Sequence, residues 1–439
     1  MSATDVKLIG KDKDPKKAAL LSLIPGGGQF YNEQKIKGFF FLLLTAVFII
    51  ELAVFGAQAF HDLVTLGSVP FEDHSLFLMI RGTLQIIITV IFLIFYGFNI
   101  RDAKETAMRW KKGLKVNQSF NEILNNVYEN GFPYLLIIPS YLFMAFAIIF
   151  PVMVTVLTAF VNYDFRHMPP AFLLDWVGIQ NFKNIFFLST FRDAFMSVFT
   201  WTIIWAILAT TLQISIGILT AVIANQDFIK GRRFFGVIFL LPWAVPAFIT
   251  ILTFSNMFND SIGAINTQVI PFINHLIPFV HIPGIAWKTD AFWTKTAIIL
   301  IQGWLGFPYI YVMVTSILQS IPADLYEAAT IDGATAFKKF TSITLPVIFT
   351  VAAPIFVTQY TGNFNNFSMI YLFNNGGPGS VGGGAGATDI LISWIFKLTT
   401  GQSPQFSIAA ALTLVISFIV ITVSLTIFKK TNAFNMEDL

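Results

Sequence analysis

Long apolar stretches separated by short polar segments run through most of this sequence. Each stretch is near or above the roughly 20 residues that an α-helix needs to cross a bilayer. They occupy residues 38–60, 76–100, 134–160, 195–224, 234–258, 295–318, 346–374 and 406–428. The pattern predicts an all-α polytopic membrane protein with about eight transmembrane helices, between a polar segment at 1–37 and a tail at 429–439.

Basic residues are unevenly distributed over the connecting segments, and they indicate an orientation. If the N-terminus is cytoplasmic, twenty of the 27 Lys and Arg residues lie on the cytoplasmic side and six lie outside, with Arg81 near the start of the second span. An even number of spans places both termini on the same side. We therefore expect a multi-pass protein of the cell membrane whose N- and C-termini are cytoplasmic.

The composition supports the membrane interpretation and removes several functional classes. Hydrophobic residues make up 55% of the chain, charged residues make up 12%, and the mean hydropathy is +0.71. An ordinary soluble domain is less apolar than this. A net charge of +3 is too small to indicate nucleic-acid binding. The absence of cysteine excludes disulfides, thiolate metal sites and cysteine nucleophiles.

The N-terminal residues 1–37 are basic and polar around an apolar patch at Leu20–Ile24. They lack the apolar core and cleavage site of a signal peptide, so we expect them to stay in the mature chain as an interfacial or re-entrant turn. Gly26–Gly28 does not read as a phosphate-binding loop, because no Gly-Lys-Ser/Thr follows it. In the first hairpin, Glu51 and Arg81 are expected to form a structural ion pair.

The most polar break in the second half of the chain lies at residues 320–346 and reads as two short helices. Ser320 can cap the first helix, Pro322 can open it, and Asp332-Gly333 supplies a turn. An interfacial helix on lipid is the alternative. The segment carries only two lysines beside three acidic residues, whereas membrane-surface helices are usually rich in basic residues. The pattern therefore favours docking to a soluble protein.

This segment resembles the coupling loop of ABC importer permeases. The resemblance is carried by Glu-Ala-Ala, then Asp-Gly-Ala, then a Phe-x-x-Ile-x-Leu-Pro ending. In that family the loop enters a groove on a cytoplasmic ATPase and transmits its closure to the membrane helices. The resemblance implies coupling roles for Glu327, Ala328, Ala329, Asp332, Gly333, Phe337, Leu345 and Pro346.

Polar residues recur at helical spacing in the sixth and seventh spans. Gln302, Leu305, Gly306 and Tyr309 share one helical face, and Gln359, Asn363 and Asn366 share a face of the next span. Trp243 lies near both, in a span that contains two prolines. Uncharged amides and aromatic rings suit a neutral, hydroxyl-rich solute. The alternative is that the amides only join helices, as Asn and Gln often do in membranes.

A narrower resemblance links residues 134–439 to the larger membrane subunit of maltose/maltodextrin importers. It rests on residues 304–309, 321–327, 363–367 and 375–378 together with the eight-span layout. It implies a type I ABC importer permease core at 195–428, after two additional spans with a basic loop at 38–133 and a third span with an external segment at 134–194.

The same resemblance implies a substrate site and a set of partners. Leu305, Gly306, Tyr309 and Asn363 would contact sugar, whereas cavity positions that differ from the family pattern are Trp243, Ala247, Gln302, Gln359 and Gly362. The implied partners are a second homologous six-span permease, two ATPase subunits that bind the ATP, and an extracellular sugar-binding protein. The chain itself would be no enzyme and would hold no cofactor.

Two external segments refine this expectation. Residues 162–194 are too short to hold the large external domain of enterobacterial members, which suggests a Gram-positive type with a lipid-anchored binding protein. Gly376–Gly386 is glycine-rich and is expected to be flexible. Another neutral sugar stays open as the substrate. An ion-coupled carrier or an intramembrane enzyme is disfavoured, because no inverted pair of interrupted spans and no catalytic motif is visible.

Overall fold

The computed structural model describes residues 13–114, 116, 127–226, 228–277, 279 and 281–430. The chain divides into two compact units, residues 1–177 and residues 178–439. Among the described residues, seven helices are long and apolar enough to cross a membrane, and one further pair is bent by 85°. Counting that pair as one span gives the predicted number of eight.

In its described residues, the first unit consists of two short helices followed by three long ones. The long helices contain π-helical turns at Leu52–Gly56 and Ala145–Ile149. In the order of the chain, the elements are α1 (Pro15–Leu21), α2 (Gly27–Tyr31), α3 (Lys35–Thr65), α4 (Ser75–Lys111) and α5 (Phe132–Thr158).

Helices α3 and α4 form an antiparallel hairpin that glycine allows to close tightly. A Cβ added at Gly82 would collide with Leu63, and one added at Gly56 would collide with Gln85. Small residues permit this close approach of helices in a membrane, where van der Waals packing replaces the hydrophobic effect.

The expected ion pair between Glu51 and Arg81 is not formed. Arg81 Nη1 lies 3.3 Å from Asp62 Oδ2, and Glu51 accepts a hydrogen bond from Gln85 Nε2 at 3.1 Å. The reason is the register of the hairpin, because the start of α4 lies opposite the end of α3. Glu51 is about three helical turns further from that end than Asp62 is.

The second unit is built around two long neighbouring helices, α7 and α11. Gly217 of α7 packs on Ile310 of α11, and Gly303 of α11 packs on Leu212. The elements are α6 (Gln180–Phe187), α7 (Ser189–Ala224), α8 (Arg232–Ala244), α9 (Ala247–Met257), α10 (Ile270–Leu276), α11 (Ala291–Ser320), α12 (Ala323–Ile331), α13 (Ala336–Lys339), α14 (Leu345–Phe364), α15 (Phe367–Asn374), α16 (Leu391–Thr400) and α17 (Phe406–Lys430).

Two of the predicted spans in this unit are broken. The span at 234–258 is the bent pair α8 and α9, with the bend at Val245 and Pro246. Val245 is extended because the residue before a proline avoids the helical region. The span at 346–374 is interrupted between α14 and α15, where the Asn366 side chain accepts a hydrogen bond from Met369 N and caps α15.

The glycine-rich segment Gly376–Gly386 is held in place, in contrast with the expected flexibility. Trp201 Nε1 donates to Thr388 O at 3.0 Å, and Trp394 Nε1 donates to Gly383 O at 2.7 Å. The buried carboxylate of Asp389 accepts from Gly386 N and pairs with Lys397. Glycine therefore permits the positive φ angles of this loop, while distant side chains fix them.

Candidate substrate cleft and coupling surface

A network of amide side chains joins α7, α11 and α14 inside the second unit. Its centre is Gln213 of α7, which is 1% exposed. Gln213 Nε2 donates to Gln359 Oε1 at 2.9 Å, and Gln213 Oε1 accepts from Gln302 Nε2 and Asn363 Nδ2, both at 3.3 Å. Asn366 Nδ2 extends the network by donating to Gln302 Oε1 at 3.0 Å. The two predicted amide faces therefore meet directly, between Asn366 and Gln302, and also through Gln213 of a third helix.

Gln213 was not predicted from the sequence to be a site residue. The close packing at Gly306 explains its position. A Cβ added at Gly306 would collide with the side-chain oxygen of Gln213. Gly306 thus makes room for an amide of α7, whereas the family resemblance implied that it would contact sugar. The one available signal was that Gln213 and Thr210 stand three residues apart in a long apolar helix.

An open cleft of about 460 Å³ lies beside this network, at the bend between α8 and α9. Three of the predicted substrate residues line it, namely Trp243, Gln302 and Leu305. The complete lining is Pro242, Trp243, Val245, Pro246, Ala247, Ile251, Gln302, Leu305, Asn366 and Ser368. Among these described residues none is ionisable, so hydrogen bonding and apolar contact are the chemistry that the cleft offers.

The remaining predicted substrate residues lie near the cleft without lining it. The Tyr309 ring is 39% exposed, and its centroid lies 6.1 Å from that of Trp243. Asn363 is only 4% exposed and donates to Thr210 Oγ1 at 2.9 Å. Gln359 and Gly306 belong to the network around Gln213. In this structure Asn363 is therefore buried and bonded to its neighbours, while the rings of Trp243 and Tyr309 are partly exposed.

The cleft suits a neutral solute that has both hydroxyl groups and apolar faces. Gln302 and Asn366 present amide groups that donate and accept, and their orientations are set by their bonds to each other and to Gln213. Trp243 is 51% exposed and presents a large aromatic surface. Aromatic rings bind the apolar face of a ring-shaped solute, while amides bind its rim.

The coupling segment forms a compact projection made of α12, α13 and a π-helical turn at Phe340–Thr344. Gly333 has a φ of 76° and ends α12, as the Asp-Gly turn predicted. Ser320 does not cap α12, because its hydroxyl donates to Ile317 O at 2.7 Å and α11 continues to Ser320. The hydroxyls of Tyr326 and Thr344 lie 2.9 Å apart and join α12 to the start of α14.

Most of the predicted coupling residues are exposed on this projection. Ala329 and Leu345 are half-buried, and the exposed ones are Glu327, Ala328, Asp332, Gly333, Phe337 and Pro346. Large apolar side chains stand beside them, with Ile331 87% exposed and Phe337 75% exposed. Exposed apolar side chains beside the carboxylates of Glu327 and Asp332 are typical of a protein interaction site.

Comparison with known proteins defines the class of this protein. Residues 213–433 match the family of binding-protein-dependent transport system inner membrane components, and the chain belongs to this family. It is therefore the membrane-spanning permease of an ABC importer, in which ATP hydrolysis is the task of a separate subunit. The matched region begins at Gln213 and contains both the cleft and the coupling segment.

Two similar proteins are permeases of sugar transport systems. The maltodextrin transport system permease protein MdxF of Bacillus subtilis (strain 168) is 63% identical, over 97% of this chain and 98% of that protein. The galactooligosaccharides transport system permease protein GanP of the same organism is 48% identical, over 96% of this chain and 98% of that protein.

Solved structures share the fold. The crystal structure of a bacterial ABC transporter involved in the import of the acidic polysaccharide alginate matches with a TM-score of 0.58 and 20% identity. The match covers 71% of this chain and 99% of that one. At this identity the likeness concerns the fold alone.

Proposed function

We propose that this permease carries maltodextrin across the cell membrane. The observation that carries the proposal is the uncharged cleft at the bend of α8 and α9, which is lined by Gln302, Asn366 and Trp243. The 63% identity to MdxF supports this choice of sugar. Tyr309 adds a second ring near Trp243, and Gln213 keeps the amides in position.

Transport proceeds by alternating access, and partner subunits supply the energy for it. An extracellular sugar-binding protein delivers the sugar, and a second homologous permease completes the path. Two ATPase subunits bind ATP and close on it. The projection around Glu327 docks in a groove of one ATPase, and its stiffness supports this role, because Tyr326 ties it to Thr344 at the start of α14.

The orientation follows from the basic residues. Both termini and the coupling projection are cytoplasmic, in agreement with twenty of the 27 Lys and Arg residues on that side. The short segment at 162–194 leaves no room for a large external domain, which supports a Gram-positive cell with a lipid-anchored binding protein.

A second candidate substrate is a galactooligosaccharide, because GanP is 48% identical over nearly the full length. Both sugars are neutral, and the lining of the cleft accepts either in chemical terms. The two are distinguished by uptake into proteoliposomes that contain the complete complex with its binding protein and internal ATP. We expect labelled maltotriose to accumulate, and an excess of unlabelled maltodextrin to compete better than galactooligosaccharide. Competition by galactooligosaccharide alone would replace the first candidate by the second.

A further inference from the structure

The N-terminal helices α1 and α2 are fastened to α4 through one buried asparagine. Asn99 Nδ2 donates to Ser22 O at 2.8 Å, and Asn99 Oδ1 accepts from Gly26 N at 3.1 Å. Gln29 Nε2 donates to the main-chain oxygen of Asn99 at 2.9 Å. Because Asn99 is fully buried, these bonds are protected from water and hold the turn between α1 and α2 in one place.

The attachment continues towards the end of α4. Asn32 Nδ2 donates to Ala103 O at 2.7 Å, and Trp110 Nε1 donates to Asn32 O at 3.0 Å. A Cβ added at Gly28 would collide with Ala103, so this glycine lets α2 lie directly on α4. Gly28 therefore serves close packing, in agreement with the expectation that Gly26–Gly28 is not a phosphate-binding loop.

The position of this turn along α4 gives its depth in the membrane. Residues 82–100 of α4 contain no charged side chain, which matches the roughly 20 residues that cross the hydrocarbon core. Arg101 therefore marks the headgroup level. Tyr96 Oη donates to Leu23 O at 2.9 Å, and Tyr96 lies about 7.5 Å closer to the membrane centre than Arg101. The turn thus reaches below the headgroups.

Apolar side chains cover the free side of this turn. Leu20, Leu23 and Ile24 are 67%, 55% and 71% exposed. Next to them, Gly26 packs on Gly38 of α3, so the turn adjoins a helix that begins at Lys35 and is one of the candidate membrane spans. This adjacency identifies the bilayer as the occupant, because a segment inserted about 5–10 Å into a membrane shows this arrangement.

Basic residues surround the apolar turn. Residues 13–37 and 101–112 contain ten Lys and Arg residues and four Asp and Glu residues. Three of those acidic residues already have basic partners in the unit, in the pairs Lys13–Glu33, Lys37–Asp102 and Arg101–Glu105. Lys16, Lys17 and Lys35 are exposed, and within the described part of the chain they form no ion pair.

We infer that the hairpin of α1 and α2 is a membrane-surface anchor that selects anionic lipids. Leu20–Ile24 inserts among the acyl chains next to α4, and Lys16, Lys17 and Lys35 bind the headgroups around it. Each lysine near an anionic surface raises membrane affinity about fivefold. This anchor is independent of the sugar, since it lies in the first unit and uses no residue of the cleft.

Insertion is tested with the full chain, whose lack of cysteine permits a single label. Leu23→Cys is labelled with bimane and reconstituted in phosphatidylcholine vesicles that contain lipid brominated near the top of the acyl chain. We expect strong quenching of this probe. The matched control is Lys112→Cys, which stands exposed just beyond α4 and should be quenched little. Equal quenching at the two positions would overturn the insertion.

Lipid selection is tested in vesicles that contain equal fractions of brominated phosphatidylglycerol or brominated phosphatidylcholine. The Leu23→Cys probe should be quenched several times more efficiently by the anionic lipid. Adding Lys16→Gln, Lys17→Gln and Lys35→Gln should lower that preference about fivefold or more, whereas Lys183→Gln should leave it unchanged.

High salt provides the same test without substitution. About 1 M salt should remove the preference for phosphatidylglycerol while quenching by phosphatidylcholine persists, because salt screens the lysines and leaves apolar insertion intact. Equal quenching by the two lipids at low salt would refute the selection of anionic lipid, even if the turn is inserted.

Discussion

Replacing the central amide of the network tests whether it positions the groups in the cleft. Gln213→Leu keeps the approximate size of the side chain and removes three interhelical hydrogen bonds, at 2.9, 3.3 and 3.3 Å. Such bonds are worth about 0.6 kcal/mol each in membranes and about 1 kcal/mol each in soluble proteins. The predicted loss of stability is therefore about 2–3 kcal/mol for the second unit.

The effect on transport follows from the partners that survive. Asn363 keeps its bond to Thr210, and Gln302 keeps its bond from Asn366, so the fold should persist. Gln302 loses the group that fixes its amide nitrogen, however, and the sugar should lose one well-placed hydrogen bond. A loss of about 1 kcal/mol corresponds to a roughly fivefold rise in the half-saturating sugar concentration.

The assay is ATP-driven uptake of maltodextrin by the reconstituted complex over a range of sugar concentrations, together with thermal unfolding of the complex in detergent. The control is Gln226→Leu, the same substitution just beyond the end of α7, where the side chain is exposed. This control should change neither the half-saturating sugar concentration nor the unfolding temperature. If Gln213→Leu matched the wild type in both assays, the network would have no positioning role.

Three further predictions concern coupling, orientation and the aromatic pair. Glu327→Lys should abolish uptake and weaken co-purification of the ATPase, because it reverses the charge on the exposed face of α12. A cysteine at Ser380 should react with an impermeant maleimide from outside the cell, whereas one at Thr335 should not. Tyr309→Ala and Trp243→Ala should each raise the half-saturating sugar concentration by up to about tenfold, because each removes a ring.

Each of these has its own control and its own contradicting result. Membrane insertion of Glu327→Lys should equal that of the wild type, and normal uptake by that variant would remove the coupling role. Reversed labelling of Ser380 and Thr335 would overturn the orientation. Unchanged uptake by both Tyr309→Ala and Trp243→Ala would show that the sugar does not touch the rings.

Local patterns in the sequence determined the fold class of this protein. The length of a span depends only on the thickness of the hydrocarbon core, so the apolar stretches could be counted directly. The coupling segment was equally visible, since its turn depends on Gly333 and its neighbours alone. The amide faces of α11 and α14 also followed from helical spacing, which is a local property.

Only the tertiary structure decided which of these residues meet. Gln213 became the centre of the network because α7 packs against α11 at Gly306, and no local signal reports that contact. Arg81 pairs with Asp62 instead of Glu51 because the register of the α3–α4 hairpin sets which residues lie opposite each other. Helical spacing defines the face on which a side chain lies, whereas the partner of that face depends on residues far away in the chain.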